Sequence, residues 1–133
     1  MKLIVCLDDR DGMSFGGRRQ SSDREVCKHI LQLTDGSTLY MQAYSAKLFP
    51  EGSVCVCADV FAEAEENAWV FWETGELPAK ILPVERVVIY RWNRRYPATQ
   101  TFPKELLNGL HLTETIEFSG NSHEKITMQR YTL

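Results

Sequence analysis

The chain opens on an almost unbroken apolar run, Lys2–Leu7 (KLIVCL). That pattern fits a strand covered on both faces. The run stops at Asp8-Asp9-Arg10-Asp11, too early for a signal-peptide core or a membrane span. A polar stretch, residues 8–22, follows and contains Gly12, Gly16 and Gly17. Its length and glycine content predict a mobile functional loop. Ser21 or Ser22 can cap a helix over residues 23–33, with Asp23 and Glu25 at the positive end of its dipole. Val26, Cys27, Ile30, Leu31 and Leu33 form its apolar face.

After a turn at Thr34-Asp35-Gly36-Ser37, strands are predicted over residues 38–42, 54–57, 68–72 and 86–93. Short helices are predicted between them. Residues 46–49 would be capped by Ser45 and ended by Pro50; residues 59–66 are acidic; residues 77–82 are apolar. Trp69, Val70, Phe71 and Trp72 put large apolar groups on both faces of one strand, which makes it central. Residues 112–118 and 124–131 read as closing strands joined by the short turn 119–123, hence antiparallel. Strands alternating with helices give a mainly parallel sheet with helices on both faces. The expected fold is one three-layer α/β domain, residues 1–133, with an antiparallel C-terminal hairpin.

Composition supports that reading. At 133 residues and 44% hydrophobic content the chain can build one core without a disulfide or metal. A net charge of −3 predicts neither a nucleic-acid coat nor binding to an anionic membrane. Cys6, Cys27, Cys55 and Cys57 contain no C-x-x-C, and three lie in apolar runs. Reduced thiols in a cytoplasmic protein are expected, with Cys55 and Cys57 in the core.

Four places in the chain resemble dihydrofolate reductase in a shortened form. They are the first strand through Gly12-Met13, the acidic Asp23, the phrase Tyr40-Met41-Gln42-Ala43-Tyr44-Ser45, and the C-terminal half. In that half, the strand 86–93, Thr101-Phe102-Pro103, and Phe118 through Asn121-Ser122-His123 follow the family's order. The chain is also similar to a group of short bacterial proteins sharing a Tyr-Arg-Trp-Asn-Arg-x-Tyr-Pro phrase and a Ser-His-Glu-Lys-Ile-Thr ending. Some of them carry the label ribonuclease Z. That chemistry needs a His-x-His-x-Asp-His cluster, whereas His29, His111 and His123 stand far apart here.

The reductase resemblance implies roles for particular residues. Asp23 would face a pterin-like ring and relay a proton while a nicotinamide cofactor delivers hydride. Its bland reading is a helix-end aspartate. Gln42, Tyr44 and Ser45 would lie at one phosphate-binding helix start, and Thr74 and Gly75 at another. Two departures stand out. The family's Gly-Arg is replaced by Gln42-Ala43, and its Gly-Gly by Trp72-Glu73-Thr74-Gly75-Glu76, which brings negative charge to a phosphate position. Arg18 and Arg19 in the first loop, with Tyr90 and Arg94 in the fifth strand, could form a basic, aromatic-lined mouth; a solvated strand end is the plain alternative. His123 is read as part of the turn that sets the hairpin register, and no metal-ligand spacing is present.

Three functions remain open at this level. The first is a diverged, non-redox domain binding a small nucleotide-like or phosphorylated ligand, with no cofactor. The second is an NADPH-dependent reductase of a pterin or pyrimidine, with Asp23 as proton relay. The third is a protein-interaction domain whose Arg/Trp/Tyr strand end is the contact patch.

Overall fold

The computed structural model describes residues 1–133. Its main sheet has seven strands in the order β5-β4-β6-β1-β7-β10-β9. These are β1 (Lys2–Leu7), β4 (Leu39–Met41), β5 (Cys55–Val56), β6 (Trp69–Phe71), β7 (Arg86–Arg91), β9 (His111–Phe118) and β10 (Ile126–Thr132). β1 lies between β6 and β7, parallel to both, and β4 is parallel to β5 and β6. The hairpin β9–β10 runs antiparallel and joins the sheet through β7. The predicted α/β architecture is therefore present.

Strand alternation sends successive side chains to opposite faces. On one face Leu3, Val5, Val70, Val87 and Ile89 pack with Val60 and Phe61 of the short helix α3 (Val60–Glu63). On the other, Ile4, Phe71, Val88 and Tyr90 pack with Val26 and Ile30 of α1 (Arg24–Leu33). Burying each such side chain contributes about 1.5–3 kcal/mol. Two covered faces explain why β1 and β7 read as continuous apolar runs.

The structure corrects several local expectations. Residues 8–22 contain a hairpin, β2 (Gly12–Phe15) with β3 (Arg18–Arg19), which also pairs with β8 (Gln100–Thr101). Gly16 and Gly17 take positive φ at its tip, the requirement of a tight two-residue turn. The α1 cap is Asp23, which accepts from the Glu25 amide, instead of Ser21 or Ser22. Ser45 lies inside α2 (Ala43–Ala46), and Gln42 precedes that helix. Residues 77–82 form no helix, because Leu77 and Leu82 each precede a proline, which disfavours the helical region. Leu77, Ile81 and Leu82 still pack on the core. Cys55 is exposed, since β5 is an edge strand; Cys57 is partly buried, and all four thiols are free. No helix is long and apolar enough to cross a membrane.

Truncating Ile30, fully buried under the sheet, should cost about 2–5 kcal/mol. Truncating Leu112, half exposed on the edge strand β9, should change stability by less than about 0.5 kcal/mol. Urea unfolding of Ile30→Ala and Leu112→Ala with a common slope tests both.

Candidate functional site

In open parallel sheets, the loops beyond the C-terminal strand ends converge and form the usual ligand cleft. Here those loops carry Asp8 after β1, Gln42 to Ser45 after β4, Glu73 to Gly75 after β6 and Trp92 after β7. The start of α1 and the β9–β10 turn add Ser21, Asp23 and His123.

One cluster centres on Glu73, whose side chain is 5% exposed. Arg19 grips it with its fork: Nε to Oε2 at 3.0 Å and Nη2 to Oε1 at 3.0 Å. Nη2 also donates to the Tyr44 carbonyl at 3.1 Å, and the guanidinium carbon sits 4.1 Å from the Tyr44 ring centre. The Ser45 hydroxyl donates to Glu73 Oε1 at 2.7 Å. Burial opposes the charge on Arg19, but the Glu73 carboxylate outweighs it and raises the Arg19 pKa. A bidentate fork on a desolvated carboxylate is the strong form of this contact.

A second cluster centres on Asp23. Oδ1 accepts from the amides of Glu25 at 2.8 Å and Asn121 at 2.9 Å. Oδ2 accepts from the Ser122 amide at 2.9 Å, the Ser122 hydroxyl at 3.3 Å and His123 Nδ1 at 2.9 Å. Burial alone would raise the Asp23 pKa; the donors reverse that and hold the carboxyl far below its ordinary range. The other His123 nitrogen, Nε2, lies 3.0 Å from Ser21 Oγ and 3.2 Å from Tyr96 Oη. Trp92 stacks on the imidazole at 4.7 Å between ring centres.

Between the clusters, Cys6, Asp23, Cys27, Phe71, Glu73 and Trp92 line a cavity of about 10 Å³. That is the bottom of the range that can hold one water. Little free space is left between the two clusters.

Of the residues singled out in the sequence, Arg19, Tyr44 and Ser45 come together. Gln42 donates to the Ala58 carbonyl. Gly75, at φ +93°, offers its carbonyl to Trp72 Nε1 and Gln100 Nε2, and Thr74 is partly buried beside it. Arg18 is exposed, adjacent to Arg19 on β3 and so turned to the opposite face. Tyr90 is completely buried and does not line a mouth. Its hydroxyl lies 2.6 Å from His29 Nδ1, and burial pushes its pKa up. Arg94 is exposed at the end of β7, while Arg91 pairs with Asp11 at 2.6 Å. The expected basic, aromatic mouth is therefore not assembled: Tyr90 and Trp92 point into the core face. His123 and Glu73 are the residues that sequence reasoning underused. Nothing local marks His123, whose partners lie 100 and 102 positions away.

No protein-family model matches the chain, and no curated protein matches it. Among solved structures, dihydrofolate reductase from Enterococcus faecalis, complexed with NADP(H) and RAB-propyl, is similar at a TM-score of 0.64. The match covers 98% of this chain and 94% of the reductase chain at 12% identity. The protein has a dihydrofolate-reductase-like fold.

The partly buried Arg19 guanidinium and the Ser45 hydroxyl are thus both engaged by Glu73. Glu76 adds a further carboxylate to the same loop.

The depressed Asp23 pKa has a defined consequence for acid stability. A carboxyl lowered on folding stabilises above its unfolded pKa of about 3.9, and that contribution is lost as pH falls below it. Asp8 and Asp11 are shifted in the same direction. Asp23→Asn should flatten the fall in unfolding free energy below about pH 4 while lowering stability at neutral pH; urea titrations across that range read both. Gly120→Ala should destabilise by about 1–3 kcal/mol. A Cβ there would meet Asp23 Oδ2 at 2.6 Å and the His123 carbonyl at 2.7 Å, and its midpoint shift in the same assay checks this.

Proposed function

We propose that this protein is a non-redox member of the fold that binds a small phosphorylated or nucleotide-like ligand. The ligand's anion replaces the Glu73 carboxylate on Arg19 and Ser45. The observation carrying this reading is the cradle itself. A guanidinium fork and a hydroxyl converge on one carboxylate at the strand ends, and the guanidinium lies over the Tyr44 ring. The same donor set suits a phosphate oxygen pair. The Asp23 oxygens carry five hydrogen bonds from the chain. That supports a non-redox role over proton relay to a pterin.

Glu73→Gln tests the exchange. It keeps the shape but removes the charge opposite Arg19, which leaves a partly buried cation unpaired and lowers stability. Added mononucleotide should restore the melting temperature of this variant by more than it raises that of the wild type. A ligand at 100 times its Kd adds about 2.7 kcal/mol, which is several degrees for a domain of this size. No shift in either protein with mononucleotides or inorganic phosphate refutes the reading. A wild-type shift with NADPH, accompanied by its oxidation over a pterin or pyrimidine panel, establishes the reductase instead.

A further inference from the structure

The second cluster has a chemistry of its own, independent of the Glu73 cradle. Asp23 Oδ2, His123 Nδ1 and Nε2, and Ser21 Oγ form a line with steps of 2.9 and 3.0 Å. Both lie in the range for an orienting carboxylate, a general base and a nucleophile. We propose that Ser21, His123 and Asp23 constitute a hydrolytic triad acting on activated esters of short acyl groups.

The parts are held as this chemistry needs. Asp23 is pinned by the amides of Glu25, Asn121 and Ser122 and cannot rotate away. It accepts from Nδ1, which leaves the Nε2 lone pair facing the hydroxyls. The imidazole is 5% exposed and stacked on Trp92, so its plane is fixed. Ser21 is partly exposed and can be reached from solvent. The amides of Ser22 and Asp23 donate to no acceptor in the chain, so the residue after the nucleophile has a free N–H, the usual place of one oxyanion donor. Ser21 and Ser22 line a cavity of only about 10 Å³, at most one water, so a long acyl chain finds no room there. Tyr96 Oη shares Nε2 at 3.2 Å and is the rival nucleophile.

In the first half-reaction, Ser21 Oγ bonds to the acyl carbon as its proton passes to His123 Nε2. The alcohol leaves with that proton, and an acyl-serine remains. In the second, water attacks the acyl carbon and gives a proton to Nε2. The Oγ–acyl bond breaks, Oγ recovers the proton, and the carboxylic acid departs. Water is the only co-reactant, and nothing is oxidised or reduced.

The purified protein should be treated with p-nitrophenyl acetate, p-nitrophenyl octanoate and a fluorophosphonate probe, with the labelled residue located by peptide mass spectrometry. The expected result is hydrolysis of the acetate in preference to the octanoate, with label on Ser21. Ser21→Ala, at a partly exposed position, should keep its melting temperature and lose at least about 10²-fold in rate. Ser37→Ala, at an exposed position in the turn after α1, should retain the wild-type rate. A Ser21→Ala variant that hydrolyses acetate as fast as the wild type, or label on Tyr96 or nowhere, overturns the proposal. None of these readouts involves nucleotide binding, so the cradle reading stands or falls separately.

Discussion

The carboxylate of Asp23 takes hydrogen bonds from three backbone amides, one hydroxyl and one imidazole. Through these contacts the first turn of α1 is fastened to the β9–β10 turn, nearly the length of the chain away. Such a group is stable in a buried place only because every lone pair is occupied. Gly120 is required beside it, since no Cβ fits between Asp23 and the His123 carbonyl. The position of His123, and with it the geometry around Ser21 and Trp92, follows from this one anchor.

The second buried charge is handled in the same way. Glu73 is held by Arg19, brought in by the β2–β3 hairpin, and by Ser45 from α2. Arg19 also donates from its amide to Tyr44 Oη and from its side chain to the Tyr44 carbonyl. The hairpin is thus tied across the strand ends by polar contacts, over a cleft floor that is mostly apolar. Asp8 supports the same region: it accepts from the amides of Arg10, Gly12 and Tyr96 and from Gln20. Three buried carboxylates, each hydrogen-bonded by the chain, therefore gather at the strand ends.

The central sheet was legible because two covered faces force apolar runs. β1, β6 and β7 were readable from Leu3, Val70 and Ile89 and their neighbours, and the closing hairpin from its short turn. The departures Glu73 and Gln42-Ala43 were visible as departures. The β2–β3 hairpin was missed although Gly16-Gly17 signals a tight turn, because its strands are short and polar. The helix expected over residues 77–82 failed on Leu77 and Leu82, whose proline neighbours outweigh an apolar pattern. Tyr90, expected at a basic, aromatic mouth, is instead fully buried in the core.

The sequence by itself determined the apolar pattern of the central strands and the α/β order, since these depend on local pattern and burial. Only the tertiary structure decided that His123 meets Asp23 and Ser21, and that Arg19 meets Glu73. These contacts join residues 54 to 102 positions apart. No local periodicity encodes them; they arise because sheet topology brings the strand-end loops and the last turn to one edge, where buried charges must find partners.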